Sequence, residues 1–222
     1  MKVVLLLLAV LLCVVSSARG FSLTQHVDFF RRKLEKNAGG EERMKREQRR
    51  ESGATTNPSA LWFDKQQVDH FDPSNDETWS QRYFLNQTFY DATNPLVFLC
   101  VGGEGPAFQP TVVVTGGVHC AWMIHLAEKF GALIVAVEHR FYGESMPKPD
   151  FSVDSLRYLS SRQAQEDIKG FRAFVTEQYD LPETSKWITF GGSYPGMMAS
   201  WARLLYPDSF YGSISSSAPV EA

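Results

Sequence analysis

Between residues 96 and 220, short apolar runs alternate with segments of helical periodicity, and this constrains the fold more than any other feature of the chain. "LVFLCV" (96–101) and "ALIVAVE" (132–138) are continuous apolar runs, as expected of parallel strands buried on both faces. "KWITF" (186–190) reads as another strand, and "FYGSISSSAP" can supply one more. Between the first two, "AWMIHLAEKFG" is apolar at Trp122, Ile124, Leu126 and Phe130 and ends at Gly131, a helix stop. In residues 162–179, Ala164, Ile168, Phe171 and Val175 recur at intervals of four, three and four and trace one helical stripe. Ser160 and Gln163 form a capping-box pattern at its start. "MMASWARLLYP" is apolar at Met197, Met198, Trp201, Leu204 and Leu205 before Pro207 stops it. Such an alternation predicts an α/β fold, a mostly parallel sheet with helices on both faces joined by right-handed crossovers.

Upstream, "LWFDKQQVDHF" and "WSQRYFLN" flank the turn-rich "DPSNDET" and predict an antiparallel pair extending one edge. From residue 61 to 222 no boundary divides the unit. The preceding residues differ in texture. Residues 1–20 read as a secretory signal, with Lys2 as the charged start, residues 3–15 as the apolar stretch, and Ser16, Ala18 and Gly20 as cleavage-site residues. Its apolar stretch of about thirteen residues falls short of the roughly twenty a membrane helix needs, so no membrane span is expected after signal removal. Residues 31–57 carry nine Lys and Arg and five Glu but only Leu34 and Met44 as large apolar side chains. That predicts a mobile leader over 21–60, with a pro-segment cut near Arg46 and Arg49 as the alternative. A net charge of -3 gives no case for nucleic acid or an anionic membrane as partner.

Cys13 leaves with the signal, and Cys100 and Cys120 then face an oxidising compartment in which a disulfide and two buried thiols are both open. No second pair of soft ligands has site-like spacing, so neither a metal nor another cofactor is expected. Asn86-Gln87-Thr88 is an N-glycosylation acceptor that suits the secretory route.

The chemistry concentrates in "GGSYPG" (191–196), where Ser193 directly follows the fifth strand in order. A serine on a sharp strand-to-helix turn, flanked by small residues, is the nucleophile elbow of a serine hydrolase. One oxyanion donor is then the N–H of the next residue, Tyr194. The other comes from the loop after the third strand, "GGEGP" (102–106), where Gly103 is placed to serve. Losing one such donor typically raises the barrier by about 3–4 kcal/mol. Either glycine cluster alone fits an ordinary turn; both, each after its expected strand, point to a hydrolase.

The blocks "QQVDHF", "QRYF", "GGEGP", "EHRFYGES", "LRYLSSRQAQEDI", "FGGSYPG" and "SSSAPV" resemble, in order, the serine exopeptidase family of lysosomal Pro-Xaa carboxypeptidase, dipeptidyl peptidase II and thymus-specific serine protease. The resemblance runs from about Leu61 to Ala222. It implies an α/β-hydrolase core with a helical cap, an acyl-enzyme mechanism and peptide substrates cut near a chain end, commonly beside proline. Ser193 matches the family's nucleophile, and Tyr194 and Gly103 its oxyanion positions. Pro195 departs from the strict G-x-S-x-G pattern, because the glycine here stands one residue later, at Gly196.

A serine nucleophile needs a base and an orienting acid, which in this fold follow it as Asp or Glu and then His. Here His26, His70, His119, His125 and His139 all precede Ser193, and only Asp208 and Glu221 follow it as carboxylates. His70 and His125 fall in a predicted strand and helix and read as packing or surface residues. His139 belongs to the same rim as Ser193, where a structural role is expected of it. Arg140, Tyr142 and Glu144 are expected to shape the substrate rim, and Glu104 to meet a peptide's amino group or to serve a structural bond. The chain is therefore expected to be truncated after about strand six, before the cap and last strands. An open sheet edge there would invite association, a homodimer included. A non-catalytic binding protein is the alternative, and a lipase or esterase on the same fold a third reading.

Overall fold

The computed structural model describes residues 58–116 and 120–220. The expected signal (1–20), the leader through residue 57, His119 and Glu221 lie outside the described residues.

The described chain runs β1 (Leu61–Gln67), β2 (Thr78–Asn86), β3 (Leu96–Val101), a 3-10 turn (Pro110–Val113), α1 (Ala121–Phe130), β4 (Leu133–Val137), α2 (Val153–Leu156), α3 (Ser161–Gln178), β5 (Lys186–Gly192), α4 (Tyr194–Leu205) and β6 (Gly212–Ser216). They form a six-stranded sheet in the order β1-β2-β4-β3-β5-β6. β1 pairs antiparallel with β2, and β2 with β4, while β4, β3, β5 and β6 are parallel neighbours. This is an α/β-hydrolase core through its sixth strand.

The sheet has two buried faces, which is why the parallel strands read as unbroken apolar runs. Val97, Leu99 and Val101 of β3 and Leu133, Val135 and Val137 of β4 face one way, against Ala164, Ile168, Phe171 and Val175 of α3 and Met198, Ala199 and Ala202 of α4. Phe98, Cys100, Ile134 and Ala136 face the other, against Met123, Ile124 and Ala127 of α1. The predicted stripe on α3 is thus its buried face. Cys100 and Cys120 are joined by a disulfide that closes a loop of 20 residues from the end of β3 to the start of α1. In the chain-entropy picture a closure of that length stabilises by about 3 kcal/mol.

Three local details differ from the sequence reading. β5 extends to Gly191 and Gly192 because both pair with Ser215 and Ser216 of β6, so ladder bonding overrides the weak strand preference of glycine. Ser160 caps α3 by accepting the Gln163 N–H at 3.1 Å, but the Gln163 side chain does not return the bond. Instead its amide accepts from the His70 N–H at 2.9 Å and donates to Asp69 at 2.6 Å, tying α3 to the β1–β2 connection. His70 itself lies beyond the end of β1 rather than within the strand.

Candidate active site

In parallel α/β sheets ligands bind outside the carboxyl ends of the strands, and here the ends of β3, β4 and β5 bring Gly103, His139 and Ser193 to one rim. Ser193 occupies the single residue between β5 and α4 with φ 59° and ψ −132°, a conformation L-residues rarely adopt. A serine used as a helix cap has extended backbone and bonds the first-turn N–H groups through its hydroxyl. Ser193 does neither: its side chain makes no capping bond, and it is exposed. Its backbone is pinned instead, the N–H donating to Ser216 at 2.9 Å and the carbonyl accepting from Met197 at 3.0 Å. The strain therefore presents a hydroxyl that local structure does not consume.

The turn closes because Gly191 lacks a side chain. A Cβ there would stand 2.2 Å from the Pro195 carbonyl oxygen. Tyr194 opens α4, so its N–H is among the first-turn groups that have no intrahelical acceptor. Across the rim, a Cβ on Gly103 would stand 2.3 Å from Cγ of Pro195, so the loop after β3 lies directly on the first turn of α4. Pro195 is therefore accommodated by the bare backbone of Gly103. Gly103 and the first turn of α4 thus close on the same rim as Ser193.

Glu138, which the sequence reading passed over, clamps this loop. Its buried carboxylate accepts from the Phe108 N–H at 2.8 Å on one oxygen, and from the Glu144 N–H and Ser145 hydroxyl at 3.0 Å on the other. Gly143 leaves the room, since a Cβ there would stand 2.4 Å from the carboxylate. A mostly apolar cavity of about 250 Å³ lies beside the loop, with Gly103, Phe108, Glu138, His139 and Tyr142 in its wall.

No histidine among the described residues is bonded to Ser193. His139 is 5% exposed; its Nδ1 lies 2.7 Å from the Arg140 carbonyl and its Nε2 2.9 Å from the Tyr194 hydroxyl. Burial holds its pKa below the ordinary histidine value, so the neutral ring is favoured. Burial likewise pushes the Tyr194 phenol up to about 12, helped by Tyr142 and Glu104. His70 bonds Asp167, and His125 stands exposed on α1 against Trp122.

The family model described as "Serine carboxypeptidase S28" matches residues 66–222. The chain belongs to this family of serine peptidases. The human thymus-specific serine protease is 39% identical to it over 170 residues, which are 77% of this chain and 32% of that protein. Human lysosomal Pro-X carboxypeptidase is 34% identical over 167 residues, 74% of this chain and 32% of that protein. This S28 chain thus spans about a third of the length of these curated relatives. Among solved structures, a lidless a/b serine hydrolase from Xanthomonas campestris aligns at a TM-score of 0.43 and 14% identity, covering 75% of this chain and 63% of that one.

The three residues of "EHRFYGES" expected to shape the rim, Arg140, Tyr142 and Glu144, have different surroundings. Arg140 is no rim residue: it is 0% exposed, its Nε and Nη2 each 2.6 Å from the Asp167 carboxylate. Its remaining donors go to the carbonyls of Gln67, Val68 and Tyr158. A guanidinium taken out of water needs every donor paired, and that need turns it inward toward α3. Glu144 is exposed and bonded to Arg82 of β2 at 2.6 Å. Tyr142 stays at the rim, its ring 5.4 Å from that of His139, and Glu104 is exposed in the loop after β3. Asn86 is partly buried at the end of β2, its Nδ2 donating to the Val113 carbonyl at 2.8 Å.

Proposed function

We propose that this chain is the nucleophile-bearing part of a secretory-pathway serine exopeptidase that acts through an acyl-enzyme on Ser193 and cuts peptides near a terminus, beside proline. The observation that carries it is the strained backbone of Ser193, which presents an exposed hydroxyl opposite the Gly103 loop. In the proposed reaction Ser193 Oγ attacks the scissile carbonyl, whose oxygen takes hydrogen bonds from the Tyr194 and Gly103 N–H groups. The amine leaves, and water then hydrolyses the ester.

The general base and its carboxylate partner are proposed to come from sequence following this chain. Support comes from the occupied state of His70 and His139, and from relatives of which the matched region makes up only 32%. The proline preference and the lysosomal or extracellular setting rest on the resemblance to Pro-X carboxypeptidase. Asn86 is proposed as a glycan site. β6 ends the sheet order, and its open side is proposed to pair with a second copy when this chain stands alone.

A fluorophosphonate probe tests the proposal. The 222-residue chain is expected to label slowly or not at all, and a product extended past Ala222 to label stoichiometrically, with labelling lost in Ser193→Ala. Labelling that survives Ser193→Ala would refute Ser193 as the nucleophile, and an extended product that stays unlabelled would leave a non-catalytic peptide-binding protein as the better reading.

A further inference from the structure

We propose that His139 is a positioning residue for the oxyanion hole, acting as a neutral acceptor that holds the Tyr194 side chain and, through it, the first turn of α4. The proposal rests on Ser193 being the nucleophile. Nδ1 of His139 is 2.7 Å from the Arg140 carbonyl, which can only accept, so Nδ1 carries the proton. Nε2 is left with its lone pair and accepts from the Tyr194 hydroxyl at 2.9 Å. The imidazole ring also packs between two phenols, 5.4 Å from Tyr142 and 5.5 Å from Tyr194.

What anchors the histidine is the residue beside it. The Arg140 carbonyl cannot drift, because the Arg140 guanidinium is bonded to Asp167 and to the carbonyls of Gln67, Val68 and Tyr158. A line of contacts thus runs from α3 through Asp167, Arg140 and His139 to Tyr194. It ends on the residue whose N–H faces the developing oxyanion. Arg140, Asp167, Glu104, Tyr142 and Tyr194 are the charged and titratable groups acting on His139. Burial, joined by the Arg140 charge, outweighs the Arg140 carbonyl bond and the Asp167 and Glu104 carboxylates and favours the neutral ring, the form able to accept from the phenol. An Nε2 engaged in this way is not available to take the proton of Ser193, which separates this role from that of a base.

The test is a double-mutant cycle in the longest product of the gene that reacts with a fluorophosphonate. His139→Leu removes the acceptor, Tyr194→Phe removes the donor while keeping the backbone N–H, and His139→Gln keeps an acceptor. Each of the first two is expected to lower the acylation rate and kcat on a peptide substrate about tenfold with KM unchanged, since both delete one bond. The double variant is expected to stay within about twofold of either single one, and His139→Gln to recover most of the loss. Multiplying effects in the double variant, or a change confined to KM, would overturn the proposal. If His139→Leu fails to fold, Tyr194→Phe decides alone, and an unchanged rate there refutes it. An unmodified protein that never reacts sinks the nucleophile reading and this proposal with it.

Discussion

Asp167→Asn preserves the shape of a buried side chain and removes its charge, which isolates what holds Arg140 inside the protein. The carboxylate takes Arg140 Nε and Nη2 at 2.6 Å each and His70 Nε2 at 2.7 Å, and the Arg140 side chain is 0% exposed. An asparagine offers one acceptor oxygen and turns an N–H₂ group toward other donors. The guanidinium then stays charged, desolvated and short of a partner. Breaking a buried pair from one side costs about 3–5 kcal/mol, a factor of roughly 10² to 10⁴ in the folding equilibrium. Urea unfolding followed by tryptophan fluorescence reads this directly. With an m-value of about 2 kcal/mol per molar, the midpoint should fall by about 2 M. The double replacement Arg140→Met with Asp167→Leu is the companion, because exchanging both charges for apolar groups is often near neutral. A midpoint shift below about 0.3 M for Asp167→Asn would refute the argument that this pair bears on stability.

Gly191→Ala would put a methyl 2.2 Å from the Pro195 carbonyl oxygen, so α4 must shift away from β5. A melting temperature lower by about 10 °C, or loss of soluble protein, is expected, and an unchanged melting curve would contradict the close approach. Because burial depresses the pKa of His139, the unfolded chain binds its proton first as pH falls below the ordinary value of 6.5. This group therefore contributes a loss of stability from about pH 6.5 downward that levels off below the folded value. Urea midpoints compared at about pH 7.5 and 5.5 should converge for His139→Gln relative to the unmodified protein, and parallel shifts would count against it.

The elements were readable wherever one local rule decided them. β3 and β4 are apolar on both faces and α3 carries a single stripe, so burial pattern and sequence pattern coincide. Gly191 and Gly192 were not readable as strand, since their pairing is set by Ser215 and Ser216 across the ladder. In the site, Ser193 and Gly103 stood out through paired glycine clusters after the third and fifth strands. Arg140 and Glu138 did not, because groups that define them come from Asp167 and Phe108, 27 and 30 residues away in sequence. One signal was present all the same: Glu138 continues the apolar run "ALIVAVE", and a carboxylate at the end of a buried strand must have donors waiting for it.

The contact between Gly103 and Pro195 makes a loop position after β3 and a first-turn position of α4 a single steric unit. A search pattern that demands glycine two residues after the serine passes over this protein, because the space that glycine would leave is supplied from the exit of β3. Any variant that places a side chain at 103 must first surrender the ring at 195. Laboratory evolution of this rim should therefore randomise both codons together, since a library at 103 alone meets the ring and only a path that changes 195 first is open.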